Sequence, residues 1–255
     1  MTLLVFDSGI GGLGVVRAMR DLAPREPLIY LADNGFFPYG EKPDEVLLPH
    51  IVALIERAVA VLAPRAVVVA CNTASTIALP SLRALLNVPV VGCVPPIKPA
   101  SLASKTQTIG VLATAATVRR PYLSGLIEQF AQGCRVLSLG TPALAELAER
   151  KFRGEKVEVG EIIAPLFAQD GGADIDAVAL GCTHYTFLLP AFMAARPGIA
   201  WFDPAPAVAR QSLRVAAHVA ATQSAHAGTA YFTGDVLRAE WLAPFGFTRA
   251  ETCQW

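Results

Sequence analysis

Two cysteines occur in matched surroundings. Ala66-Val67-Val68-Val69-Ala70-Cys71 and Ala177-Val178-Ala179-Leu180-Gly181-Cys182 share the pattern Ala-Val-x-x-small-Cys, and a threonine follows each within two residues, as CNT and CTH. In both places an apolar, β-branched run ends at the thiol and a helical stretch is expected to start just beyond it. A helix N-terminus offers oriented N–H groups and positive potential, which favour a thiolate. His184, two residues past Cys182, adds a group that tunes a thiol or carries a proton. One strand-end cysteine alone reads as a buried core residue. Two in the same context point to acid–base chemistry.

Asp7 and Asp33 also stand at the ends of apolar runs, LLVFD and PLIYLAD, where ligands bind in open α/β sheets. Gly9, Gly11 and Gly14 fit GxGxxG, and by spacing alone this loop is a dinucleotide fingerprint that would make the chain a nucleotide-dependent oxidoreductase. Asp7 and Ser8, however, separate the strand from the glycines and put a carboxylate where a pyrophosphate would sit. The loop equally suits a small anionic ligand. Asp33 to Gly40, DNGFFPYG, joins Gly and Pro to three aromatics, either as a packing loop or as a wall that excludes water from a substrate. His50, His218 and His226 lack metal-ligand spacing and read as satisfied or exposed histidines, so no metal site is expected.

These residues need a scaffold, and the chain of 255 residues is long enough for two lobes. Short apolar runs alternate with helical segments such as GGLGVVRAMRDLA and VLLPHIVALIERAVAVLA. That alternation predicts an α/β fold with mainly parallel sheets whose faces are covered by helices. Proline clusters in PVVGCVPPIKPAS and WFDPAPAVAR mark two crossings. The expected division is a discontinuous first lobe, residues 1–93 plus 207–255, and a second lobe, 94–206. The cysteine repeat puts one thiol in each of two similar lobes, with the active site expected in the cleft between them.

Composition narrows the function classes. Hydrophobic residues make up 53% of the chain and charged ones 16%, which excludes a disordered segment. Lys+Arg 21 balance Asp+Glu 21, so the cationic surplus of a nucleic-acid partner is missing. The longest uncharged runs carry polar or helix-breaking residues near their middles and do not read as membrane spans. MTLLVFDSG has no basic leader region, so no secretory signal is expected. Five cysteines without a CxxC pair fit a reducing cytoplasm rather than a disulfide or zinc framework.

Taken in order, FDSGIGG (6–12), DNGFFPYGEK (33–42), VVVACNTAS (67–75), PVVGCVPPIKPA (89–100), IGVLATAATV (109–118) and ALGCTHY (179–185) resemble the cofactor-independent aspartate/glutamate racemase family. The resemblance covers most of the chain. It implies interconversion of L- and D-glutamate without a cofactor, in the cytoplasm, supplying D-glutamate for peptidoglycan. By matching position it makes Cys71 and Cys182 the two catalytic acid/bases, with Asp7 and His184 as auxiliary groups. It makes Asp7, Ser8, Tyr39, Gly40, Asn72, Thr73, Thr183 and His184 the substrate contacts, and places an auxiliary glutamate at Glu149. The partner implied is a small molecule, with neither nucleic acid nor membrane; a homodimer is left open. VPPIKPA lacks the Glu that many members carry before the proline. The chain also starts at its first strand, without the extension that contributes to an activator site in relatives controlled by a peptidoglycan precursor, so that control is left open. The alternatives are a racemase of aspartate or a related acid, and a non-catalytic amino-acid-binding module.

Overall fold

The apolar runs of the sequence become strands. A computed structural model of the protein describes residues 2–219 and 224–255. Its first part comprises β1 (Leu3–Asp7), α1 (Gly12–Leu22), β2 (Leu28–Ala32), α2 (Asp44–Leu62), β3 (Ala66–Val69), α3 (Asn72–Leu85) and β4 (Val90–Gly92). There follow α4 (Ile97–Ala103), β5 (Thr108–Ala113), α5 (Ala115–Arg119), α6 (Pro121–Phe130), β6 (Arg135–Gly140) and α7 (Ala143–Phe152). The chain continues through α8 (Gly160–Phe167), β7 (Ala177–Gly181), α9 (Leu189–Ala195), β8 (Ala200–Phe202) and α10 (Ala205–Ala217), ending with β9 (Thr229–Phe232), α11 (Ala239–Leu242) and β10 (Arg249–Thr252). Among the described residues no helix is long and apolar enough to cross a membrane.

Two compact units result: Met1–Cys93 with Ala205–Trp255, and Val94–Pro204. The second boundary falls two residues before the position expected from the proline pair. The reason is that α10 starts at Ala205 and packs along α1, so its first turn already belongs to the first unit.

The first unit holds a six-stranded sheet in the order β10-β9-β2-β1-β3-β4, and the second a four-stranded sheet in the order β6-β5-β7-β8. Every pairing in both is parallel. All residues of β1, β2, β3, β5 and β7 are buried, as strands covered on both faces must be, so their sequences run apolar without alternation. Exposure returns at the edge strands β6, β8 and β10.

Side chains divide between the two faces with period two. On one face of the first sheet Leu4, Phe6, Val67 and Val69 meet Leu47, Ile51, Ile55 of α2 and Ala74, Ala78, Leu82 of α3. In the second unit Leu112, Val178 and Leu180 pack on Leu144 of α7 and on Ile163 and Leu166 of α8. Its other face sets Ile109, Val111, Ala177 and Ala179 against Ile97 of α4 and Leu123 of α6. Full burial of each such Leu, Ile or Val contributes about 1.5–3 kcal/mol, which holds the strand ends in fixed register.

The inner order β2-β1-β3-β4 of the first sheet has the same connectivity as β6-β5-β7-β8 of the second. In each, the opening strand lies inside, the next pairs on one side and the third on the other. The order therefore reverses between β1 and β3 and between β5 and β7, and ligands of open α/β sheets gather at the carboxyl ends of such a switch point. Cys71 follows β3 and Cys182 follows β7, so the two thiols occupy equivalent topological positions.

Candidate active site

In the first unit, β1 and β3 pair from Leu3↔Ala66 to Phe6↔Val69. Ala70 N–H continues the ladder to the Phe6 carbonyl at 2.8 Å, which sets Cys71 beside Asp7 and Ser8. Cys71 is the N-cap of α3; its Sγ accepts from the Ala74 N–H at 3.5 Å and lies 3.8 Å from Ser8 Oγ. A thiol at the first turn of a fourteen-residue helix, met by a backbone N–H, sits where negative charge is favoured.

Asp7, Ser8, Asn72 and Thr73 are all buried around it. Asp7 takes the Gly9 N–H on Oδ1 at 2.9 Å. Asn72 is only 1% exposed, yet neither Oδ1 nor Nδ2 of its amide has a hydrogen-bond partner among the described residues. A buried amide left unmatched costs about 1–3 kcal/mol. Such a group beside a helix-capped thiol is a ready site for a ligand's polar atoms.

Tyr39 is buried against Phe6, with ring centroids 6.4 Å apart, and Gly40 beside it is partly exposed. The Tyr39 hydroxyl donates to Asp33 Oδ2. Burial, then the neighbouring Asp33, and more weakly Cys71 and Asp7 push its phenol well above the usual range, so it stays neutral and donating. Its hydroxyl is thus committed to Asp33.

The second unit builds a different surround for its thiol. Cys182 heads a 3-10 segment, Thr183–Leu188, and makes no side-chain cap hydrogen bond. Thr183 and His184 are buried with it, and His184 Nε2 lies 3.2 Å from Glu149 Oε1 on α7. Arg153, one turn on, approaches the other oxygen of Glu149 at 3.6 Å. Burial and the nearby Cys182 hold the Tyr185 phenol well above its ordinary range, and its hydroxyl donates to the Thr141 carbonyl at 3.3 Å. The matched sequence contexts therefore lead to unlike environments: helix cap and Ser8 for Cys71, a histidine–glutamate pair for Cys182.

The structure brings Asp7, Ser8, Tyr39, Cys71, Asn72 and Thr73 together in one unit and Cys182, Thr183, His184 and Glu149 in the other. Among the described residues no group of three or more His, Cys, Asp or Glu is placed to hold a metal ion. The profile of the Asp/Glu/hydantoin racemase family matches residues 13–212. The chain belongs to this family. It is accordingly an enzyme of the racemase class. A glutamate racemase of Granulibacter bethesdensis is 52% identical over 220 residues, 86% of this chain and 80% of that protein. Another, from Sphingopyxis alaskensis, is 43% identical over 258 residues, 98% of this chain and 96% of that protein. The crystal structure of Escherichia coli glutamate racemase in complex with L-glutamate and the activator UDP-MurNAc-ala matches with a TM-score of 0.90 at 39% identity, over 98% of this chain and 97% of that one.

Within this racemase frame the glycine loop after β1 has a steric purpose. A Cβ added at Gly12 would stand 2.9 Å from the Asp7 Cβ and 3.0 Å from the Tyr30 ring. Gly12→Ala is expected to displace Asp7 and lower kcat/KM by about 10- to 100-fold, the cost of a misplaced group at a reacting centre. Gly125→Ala is the control, because its Cβ would meet nothing within 4 Å in the exposed middle of α6. That variant should keep full activity and gain about 0.5–1 kcal/mol of stability. Steady-state kinetics and thermal melting of the two variants check both statements.

Two side chains of this region carry no sequence signal of their own. His50 reads as an ordinary helical histidine, but its Nε2 lies 2.6 Å from Asp33 Oδ2. Thr233, just past β9, donates to Asp33 Oδ1 at 2.6 Å from 200 positions away. Only the fold brings them together.

Proposed function

We propose that the protein interconverts L-glutamate and D-glutamate by passing the α-proton through two thiols, with no bound cofactor in the reaction. What carries this reading is the placement of Cys71 and Cys182 at equivalent switch-point ends of two sheets, one capped by the Ala74 N–H and the other beside the His184–Glu149 pair.

In one direction a thiolate takes the α-proton, and the C–H electron pair passes into the substrate carboxylate as an enediolate. The opposite thiol then delivers its proton to the other face of the α-carbon, forming the new C–H bond. The two sulfurs exchange protonation states and the reverse reaction restores them. The α-proton is far less acidic than a thiol, so the intermediate needs preorganised donors. The unmatched Asn72 amide suits that task, joined by Thr73 and Thr183. Asp7 faces the substrate ammonium and, with His184, tunes the thiols. Five cysteines without a CxxC pair suit a reducing cytoplasm, where the D-glutamate formed would supply peptidoglycan.

Substrate length follows from the donor set. FDSGIGG, CNTAS, ATAATV and CTHY contain no Lys or Arg, so backbone N–H groups, hydroxyls and amides hold the two carboxylates at fixed spacing. Removing one methylene leaves a carboxylate or its donors unpaired, at about 1–3 kcal/mol per group. Glutamate is expected to be racemised at least about tenfold more efficiently than aspartate in kcat/KM, with lysine and arginine inert. Circular dichroism on each amino acid at matched concentration measures this. Equal rates on aspartate and glutamate, or a preference for aspartate, would replace the proposed substrate.

A further inference from the structure

Asp33, just after β2, is 1% exposed and has no part in the chemistry proposed above. Three side chains nevertheless converge on its carboxylate: the Tyr39 hydroxyl, His50 Nε2 at 2.6 Å and Thr233 Oγ1 at 2.6 Å. Its own N–H donates to the Asp7 carbonyl at 2.8 Å. The same Thr233 hydroxyl accepts the Gly35 N–H at 3.0 Å. Next to it, Asn34 is gripped twice, its Oδ1 accepting from Gly234 N–H at 2.9 Å and its Nδ2 donating to the Asp235 carbonyl at 2.7 Å. On the outer side Phe36 stacks on His50 with ring centroids 4.1 Å apart, and the Lys42 ammonium sits 4.4 Å over Phe36.

The loop from Asn34 to Glu41 is therefore fastened at both ends. Its start is tied to the segment after β9, and its far end is tied through Tyr39 to the same buried carboxylate. Burying a carboxylate is expensive, and one so placed contributes less to net stability than to a unique geometry. The backbone it fixes, Tyr39–Gly40, is the part of the loop assigned to the substrate.

We propose that Asp33, held by Thr233 and His50, is a positioning residue that sets the Tyr39–Gly40 backbone for substrate binding and touches no substrate atom itself. The proposal rests on the glutamate racemase reading given above. Because it acts on binding geometry, its signature is in KM, while the thiols that move the proton are left in place.

The test is Thr233→Val, which with little change of shape deletes the hydroxyl that donates to Asp33 and accepts from Gly35, together with Asn34→Ala, which loosens the half-buried start of the loop and leaves the buried carboxylate alone. Both are expected to raise KM for glutamate about five- to tenfold with kcat within about twofold, and Thr233→Ser should return KM to within about twofold of wild type. Hydrogen exchange of the amides in 34–41, in the absence of substrate, should be about tenfold faster in Thr233→Val and restored in Thr233→Ser. A fall in kcat at unchanged KM would overturn the proposal by placing the cluster in proton transfer, and unchanged exchange together with unchanged KM would overturn it outright. A wild-type protein inert towards glutamate would overturn the functional reading instead, and the exchange measurement would still decide whether Asp33 anchors the loop.

Discussion

Cys71→Ala and Cys182→Ala are each expected to lose racemisation of glutamate by about 10³-fold or more in kcat, in both directions. Deleting a positioned acid or base removes about 10²–10⁴ of rate, and inversion needs a base on one face and an acid on the other, so neither thiol substitutes for its partner. The double variant should be little worse than either single one, because groups that act as a unit are far from additive. Cys→Ser keeps the shape but not the acidity, and should recover only a small part of the loss. Both cysteines are buried small residues, so alanine leaves a modest void, and melting temperatures near wild type would separate a chemical defect from a folding one. A single variant with near wild-type turnover would remove that cysteine from the mechanism.

Asn72→Ala is expected to lower activity without lowering stability. Neither polar atom of the buried amide has a partner among the described residues, so deleting it breaks no protein hydrogen bond there and is expected to cost little stability. In the role proposed for it, donating to developing carboxylate charge, the same amide is expected to be worth about 10²–10³ in rate, as single oxyanion donors are. The outcome foreseen is kcat/KM down by about 10²-fold with a melting temperature unchanged or raised by a few degrees, since about 1 kcal/mol shifts a domain of this size by roughly 2–4 °C. A melting temperature lowered by several degrees would show that the amide is a structural group and withdraw it from the donor set.

Much of the scaffold is legible in the sequence because the central strands are buried on both faces. LLVFD, AVVVA, TIGVLA and AVALG stand out as apolar runs for that reason, and they became β1, β3, β5 and β7. The strands β9 and β10 were not legible. TAYF is buried throughout but only four residues long and set between polar and glycine residues, and RAET, at the sheet edge, is mostly exposed and half charged. The cysteines were visible through their repeated strand-end pattern, but the difference between them was not. Whether a true α-helix or a 3-10 turn follows a strand depends on packing several residues on, and it is this that gives Cys71 a cap and Cys182 none. The cluster on Asp33 was invisible for another reason: Thr233 and His50 each look ordinary alone, and only the parallel pairing of β2 with β9 brings position 233 to position 33.

Inversion of glutamate by two thiols exchanges the α-hydrogen with solvent. The most direct measurement follows L-glutamate in heavy water with protein dialysed exhaustively against a chelator, recording circular dichroism and the α-deuterium content of each enantiomer. Optical activity is expected to decay to zero, and deuterium to appear first at the α-position of D-glutamate, because the returning proton comes from a thiol equilibrated with solvent. Optical activity that persists, or that decays only after pyridoxal phosphate, a flavin, a nicotinamide or a metal ion is added back, would contradict cofactor-free inversion by two thiols.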